Sequence, residues 1–244
     1  MKPFLVRLSV TNVYLLACKG GYLQIDTGYT HDYERYRQAL RDLGLDVAQV
    51  KFLLLTHHHD DHAGFLNDLC RDTDLTIIAH REAEALLKGG SNDTSHGGGY
   101  VSRRVEFLAG LKRRFDRRWT LRFPSFDLRP QDVRLVADND SLLRNLGIAG
   151  RIVTTPGHCI DHLSLVLDNG NTFAGDAASS FLLFAGTHYA TLFMTDMESA
   201  YRSWQKLLDA RARTIYPAHG RPFAADKLHE NMGRIRTENL VSFF

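Results

Sequence analysis

Residues 56–64 read Thr-His-His-His-Asp-Asp-His-Ala-Gly and follow an apolar run, Val50 to Leu55, in which Lys51 is the one charge. The run reads as a buried strand, so whatever fold the chain adopts must deliver His57, His59, Asp61 and His62 at the end of a core element. Side chains two apart on an extended segment point the same way, so His57 and His59 can grip one ion. A turn into helix near Asp61 would swing Asp61 and His62 toward a second. Imidazole and carboxylate donors favour borderline ions such as zinc and also suit iron or manganese. The alternative for this segment alone is a solvated polar loop, which needs no matching ligand chemistry elsewhere in the chain.

Matching chemistry recurs three times. Thr155-Pro156-Gly157-His158 sets a histidine in a tight turn after a strand, Ala174-Gly175-Asp176 sets an aspartate after another, and Tyr216-Pro217-Ala218-His219-Gly220 repeats the arrangement. A turn at a strand end is where side chains from several elements can converge. With the opening cluster these give seven donors, enough for two metals.

The bulk properties bound the class without choosing a function. A chain of 244 residues suffices for one sizeable domain with a proper core. A net charge of +2 gives no global reason to expect nucleic acid or membrane as a partner. Cys18, Cys70 and Cys159 are odd in number and lack a paired spacing, which points away from a disulfide framework and toward the cytoplasm. Leu15-Leu16-Ala17-Cys18 looks like a lipoprotein cleavage box, but Arg7, Thr11 and Asn12 interrupt the segment before it, so a strand is expected there. No apolar run approaches the ~18 residues of a membrane span.

Patterning alternates strands and helices along the chain. Strands are expected over 4–9, 13–17, 22–25, 50–55, 75–79, 133–136, 150–154, 163–167, 172–174 and 214–216, with Asp168-Asn169-Gly170-Asn171 as a hairpin turn. Helices are expected over 33–43, 82–87, 197–208 and 226–238. Residues 91–99 form a glycine-rich loop with His96, a natural lid or hinge. Beyond it Val101, Val105, Leu108, Leu111, Phe115 and Trp119 recur at three- and four-residue steps, an amphipathic helix whose other face carries Arg103, Arg104, Arg113, Arg114, Arg117 and Arg118. With strand–helix repetition in each half and no linker between, two similar βα halves of one domain are expected.

These sites, with Asn12-Val13-Tyr14-Leu15-Leu16 and Leu23-Gln24-Ile25-Asp26-Thr27-Gly28 before them, resemble the metallo-β-lactamase-fold superfamily of hydrolases. Spacings of 96, 18 and 43 residues separate His62, His158, Asp176 and His219. The resemblance covers essentially the whole chain. It implies an α/β fold, a four-layer αββα sandwich with the metals at one edge, as a single domain over 1–244 in which about 84–130 is an inserted lid and basic helix. It implies two divalent ions, zinc before iron or manganese. His57, His59 and His158 resemble the ligands of the first, Asp61, His62 and His219 those of the second, and Asp176 the carboxylate between them. Asp26 resembles the aspartate that orients a ligand.

The implied reaction is hydrolysis of an ester, thioester or lactone by a hydroxide shared between two metals, with Asp61 and Asp176 as the catalytic carboxylates. Asp176 resembles the glyoxalase II, lactonase, thioesterase and phosphotriesterase branches rather than the antibiotic-hydrolysing lactamases. Two departures bear on the branch. Ile160-Asp161 precedes His162 where many members have Pro-Gly, so His162 is expected to be structural and Cys159 a small buried neighbour. The lactonases' tyrosine after the bridging aspartate is replaced by Ala177-Ala178-Ser179-Ser180-Phe181, which weakens acyl-homoserine-lactone hydrolysis. Alternatives are a mononuclear-iron sulfur dioxygenase of the same fold, a β-lactam or phosphoester hydrolase, and a binding protein without turnover.

His188, Tyr189 and Phe184 are candidates for the substrate wall, with core or dimer packing as the other reading. The basic helix either caps the pocket or packs in a homodimer, or forms an electropositive entrance for an acidic small-molecule substrate such as an acyl-coenzyme A. Nucleic acid is not expected, since no aromatic residues interleave a flat basic face. His31, His58, Asp60, His80, His96 and His229 take surface or structural roles.

Overall fold

The computed structural model describes residues 3–116 and 120–242. In chain order the elements are β1 (Phe4–Arg7), β2 (Asn12–Cys18), β3 (Gly21–Ile25), α1 (Tyr33–Asp42), β4 (Val50–Leu54), α2 (Asp60–Ala63), α3 (Leu66–Asp72), β5 (Thr76–His80) and α4 (Ala83–Gly89). There follow β6 (Gly99–Tyr100), α5 (Arg103–Phe115), β7 (Val133–Leu135), α6 (Leu142–Asn145), β8 (Gly150–Thr154), β9 (Leu163–Leu167) and β10 (Asn171–Gly175). The last are β11 (Phe193–Met194), α7 (Met197–Asp209), β12 (Thr214–Pro217), β13 (Phe223–Ala224), α8 (Asp226–Asn231) and β14 (Val241–Ser242). Contacts divide the chain into two compact units, 1–92 with 121–152, and 93–120 with 153–244.

The first unit holds a six-stranded sheet in the order β1-β2-β3-β4-β5-β7. Its first three strands are an antiparallel meander, and β3, β4, β5 and β7 run parallel. Leu15, Leu16, Leu53, Leu54, Ile77 and Ile78 are all buried, so successive side chains on both faces of these strands leave water. That is why they read as unbroken apolar runs rather than as an alternation. On one side Val13, Leu15, Leu53 and Ile77 pack with Tyr36 and Leu40 of α1, Phe65, and Leu66 and Leu69 of α3. Residues 12–18, with their lipoprotein-like box, thus form a sheet strand that is buried over 12–16.

The second unit holds a five-stranded sheet in the order β13-β12-β10-β9-β8, with the unit boundary inside β8, and a small sheet in the order β11-β6-β14. Strands β10 and β12 are parallel, and the Asn169-Gly170 turn joins β9 to β10 as an antiparallel hairpin. Gly170 takes φ +87°, the left-handed conformation that the hairpin turn requires. Trp204 of α7 anchors the core with Met197, Leu207, Val166, Ile215 and Leu228, and its indole N–H donates to Ala177 O at 2.6 Å.

Two helices depart from the patterning. The closing helix expected over 226–238 stops at Asn231, because Met232 is extended (ψ 137°) and Gly233 takes φ +74°, after which the chain turns into β14. Helix α5 begins at Arg103, capped by Ser102 Oγ accepting from Val105 N–H, and buries Val105 and Ala109. Leu111 and Phe115 are exposed rather than buried, at 45% and 76%. At 3.6 residues per turn, six positions on from Val105 lies about two-thirds of a turn away, off the packed face. Arg117, Arg118 and Trp119 lie outside the described residues.

Gly64 closes α2 against the loop after β3. A Cβ there would lie 2.6 Å from both Gly28 O and Thr30 N and closer still to Asp60 O, all backbone atoms that cannot swing aside. Gly110 in α5 has open space at the same position. Gly64→Ala is expected to destabilise the protein by about 2 kcal/mol or more, and Gly110→Ala to stabilise it by about 0.5–1 kcal/mol. Urea unfolding followed by circular dichroism reads both, and equal midpoints for the two variants would contradict this packing.

Candidate metal centre

In the first unit the four donors follow β4, and Asp26, which orients one of them, follows the adjacent parallel strand β3. Ile25 of β3 pairs with Leu54 of β4, so Asp26, one residue past β3, and Thr56, two past β4, emerge side by side. Asp26 N–H donates to Leu54 O at 3.0 Å and continues the ladder one step. The carboxylate of Asp26 then accepts from Thr56 N–H at 2.7 Å and Thr56 Oγ–H at 2.8 Å. It meets His62 Nδ1 at 2.9 Å. Asp26 is 1% exposed, with φ 60°, an uncommon conformation for a residue other than glycine.

This contact orients His62. With its Nδ1–H given to a carboxylate, the imidazole keeps a lone pair at Nε2. That nitrogen lies 3.7 Å from Asp61 Oδ1. Thr27 fastens the same residue from its backbone, its N–H and Oγ–H both donating to His62 O, at 2.8 and 2.6 Å. Thr11 Oγ–H likewise donates to Asp61 O at 2.8 Å. The rings of His57 and His59 lie 4.6 Å apart between centroids, and those of His57 and His62 4.0 Å apart. His57 Nδ1 is 3.0 Å from Thr56 Oγ1. His57 and His62 are fully buried, while the side chain of Asp61 is 18% exposed. The helix start expected near Asp61 is α2, whose first residue is Asp60. Burial, then the charge of Asp61, pushes the Asp60 carboxyl up to about 7, and Asn92 Nδ2 donates to its Oδ1 at 2.8 Å.

The second unit repeats the device. Gly175 of β10 pairs with Pro217 of β12, so Asp176 and His219 leave neighbouring parallel strands at the same level. Asp176 Oδ1 lies 3.2 Å from His219 Nε2, and Asp176 Oδ2 lies 3.6 Å from His158 Nε2. One carboxylate thus turns a different oxygen to each of two imidazoles. His158 Nδ1 donates to Phe193 O at 2.7 Å, which leaves its Nε2 as the nitrogen with a lone pair. Gly157, at φ +139°, lets this turn pass α7, since a Cβ there would lie 2.5–2.7 Å from Ala200.

His162 belongs to the support. Its Nε2 accepts from Asp176 N–H at 3.0 Å and its Nδ1 lies 2.8 Å from Thr155 Oγ1, so both ring nitrogens are committed. Cys159 is buried, and burial followed by the charge of Asp161 holds its thiol well above the usual range, unlike an activated nucleophile.

Among the wall candidates, Tyr189 packs on Phe223 with centroids 4.6 Å apart, His188 is exposed and Phe184 is 74% exposed. They share the 177–190 loop, which is clasped at its base by Ser179 Oγ–H donating to His219 O at 3.0 Å and Ser179 N–H donating to Tyr189 O at 2.8 Å. Leu182, His188 and Tyr189 all carry positive φ, at 53°, 48° and 67°, a concentration of backbone strain typical of functional loops. Thr56, Thr27, Phe193 and Thr191, whose Oγ1 lies 3.3 Å from His158 Nδ1, serve the site without being foreseen. Their contributions are backbone groups or a single hydroxyl, and residue type gives no signal for these.

One imidazole in each unit, His62 in the first and His158 in the second, is set up for a divalent metal, with one nitrogen fixed by a hydrogen bond and the other turned toward a carboxylate. Residues 6–219 match the family model described as the metallo-beta-lactamase superfamily. The chain is 27% identical over 249 residues to a protein named beta-lactamase-like protein 2 homolog from Drosophila melanogaster, covering 99% of this chain and 70% of that protein. It is 26% identical to an atrochrysone carboxyl ACP thioesterase from Claviceps purpurea over 93% of this chain, and spans 55% of that relative's length. A metallo-beta-lactamase family protein of Thermus thermophilus superposes with a TM-score of 0.62 at 25% identity, over 93% of this chain and 77% of the other. The α/β fold expected from the sequence is therefore the one observed.

Asp26→Asn keeps the shape of the side chain and removes the carboxylate that His62 Nδ1 faces. It is expected to weaken zinc binding by about 10–100-fold, read by competition with a chromogenic chelator. Unchanged affinity would contradict the orienting role of Asp26.

Proposed function

The chain belongs to the metallo-beta-lactamase superfamily, a family of hydrolases, and on that premise we propose that it hydrolyses an ester, thioester or lactone with two divalent ions, zinc before iron or manganese. The observation that carries the two-ion reading is Asp176, whose two carboxylate oxygens face different imidazoles, 3.2 and 3.6 Å away. A carboxylate serving one ion has no need to divide its oxygens in this way.

In this reading His57, His59 and His158 hold one ion, Asp61, His62 and His219 the other, and Asp176 stands between them, within one catalytic domain. Bound dications supply an acidified water and a Lewis acid for the substrate's carbonyl oxygen. The protein's own residues set the rest. Asp26 holds the proton of His62 at Nδ1, and Phe193 O holds that of His158 at Nδ1, so each imidazole offers Nε2. Asp61, partly open to solvent, accepts a hydrogen bond from the attacking water and orients it. His188, on the strained loop after Asp176, serves the substrate side, whereas Tyr189, packed on Phe223, suits a supporting role and Phe184, 74% exposed beside Phe107, lies on the outer groove. The thioesterase among the similar proteins favours the thioester class. The three cysteines, none of them in a disulfide, suit a reducing cytoplasm.

A screen across p-nitrophenyl esters, acyl thioesters, lactones, phosphotriesters and β-lactams, with and without chelator, tests the proposal. Hydrolysis at a carbonyl, abolished by chelator, restored by zinc and reduced by about 10²–10⁴-fold in Asp61→Asn, is the expected result. Activity indifferent to chelator, or oxygen uptake by protein holding one iron per chain, would overturn it.

A further inference from the structure

Helix α5 turns an apolar stripe outward. Phe107, Leu111 and Phe115 follow one another at four-residue steps, so they line one side of the helix. They are 69%, 45% and 76% exposed. Phe184, 74% exposed on the strained loop, extends the stripe, and with Phe107, Leu108 and Ala185 it walls an open groove of ≈ 360 Å³ whose remaining lining is Arg103 and Arg104. Ser102 Oγ–H donates to Ala185 O at 2.7 Å and Arg104 Nη1 to Phe184 O at 3.4 Å, so helix and loop form one surface.

Charge selects what this surface fits. Within α5, Arg103, Arg104, Lys112, Arg113 and Arg114 stand against Glu106 as the single acid. The net charge of +2 for the whole chain conceals this concentration. Two copies joined stripe to stripe would bring these cations face to face, a like-charge arrangement that disfavours a symmetric dimer through this helix. Protruding phenylalanines and a leucine, bordered by arginines whose long side chains can reach past them, are the composition of a helix that lies in a lipid interface. Such a helix lies on a bilayer without crossing it. None of the described helices is long and apolar enough to cross a membrane.

From this placement we infer that α5 and the 181–185 segment dock the protein on an anionic lipid bilayer, with Phe107, Leu111, Phe115 and Phe184 entering the interface and Arg103, Arg104 and Arg114 meeting the headgroups. This surface is separate from the metal donors, so its test does not depend on the hydrolytic reading.

Co-sedimentation with phosphatidylcholine vesicles, with and without 30 mole per cent phosphatidylglycerol (about one anionic lipid in three, enough to set up the surface potential that basic residues sense), reads the docking directly. The wild-type chain is expected to sediment with the anionic vesicles, to lose binding as salt is raised, and to remain in solution with phosphatidylcholine alone. Phe107→Ser with Phe184→Ser should lower partitioning at least tenfold, and Arg103→Gln with Arg104→Gln about fivefold per arginine. These side chains are exposed, so unchanged thermal melts confirm that the variants fold. Three results would overturn the inference: equal sedimentation with both vesicles, none with either, or binding of an acidic peptide or monomeric decyl phosphate without vesicle binding. A concentration-dependent dimer in light scattering that the Phe107→Ser and Phe184→Ser pair abolishes would assign the stripe to a second copy instead.

Discussion

The buried carboxylate of Asp26 is the interaction on which the first half of the site depends. A charge removed from water survives only if several donors meet it. Here those are Thr56 N–H, Thr56 Oγ–H and His62 Nδ1–H, all within 2.9 Å. Satisfying Asp26 therefore fixes the exit of β4 and the ring of His62 together. The left-handed backbone at Asp26 is the local cost of aiming its side chain across to the neighbouring strand. Thr56 Oγ1 also lies 3.0 Å from His57 Nδ1, so the same contact reaches a second imidazole.

The two units solve one problem by the same means. Each places site residues just beyond the ends of adjacent parallel strands, Asp26 and His57 after β3 and β4 in one, Asp176 and His219 after β10 and β12 in the other. Parallel pairing brings strand ends of distant sequence to one level, so short turns carry polar side chains out of an apolar sheet without breaking its ladder. A backbone or carboxylate acceptor then takes one proton of an imidazole in each unit: Asp26 for His62, Phe193 O for His158. His162, expected from the sequence to be structural, spends Nε2 on Asp176 N–H and so holds the aspartate in place.

Much of this is legible in the residues themselves. The buried strands declare themselves by apolar runs, and the hairpin turn at Gly170 by residue type; Gly170 takes positive φ. The candidate donors His57, His59, Asp61, His62, His158, Asp176 and His219 stand out in the sequence because metal ligation restricts residue type severely and each follows a strand. The supports do not. Thr56 acts through its backbone N–H and hydroxyl, Thr191 through one hydroxyl, and Phe193 through a carbonyl that every residue possesses. The end of α8 is hidden because helical spacing continues past Gly233. The exposure of Leu111 and Phe115 is hidden because three- and four-residue spacing drifts around a helix, and only packing shows which part of the turn is covered. That drift conceals the outward stripe of α5.

In the reading proposed here, two sets of donors, each preorganised within its own unit, serve one pair of ions. Diffraction from zinc-grown crystals, recorded on both sides of the zinc absorption edge, tests this most directly. Two anomalous peaks per chain are expected, one against His57, His59 and His158, one against Asp61, His62 and His219, with Asp176 reaching both. A single peak, or peaks coordinated by donors of one unit only, would contradict it.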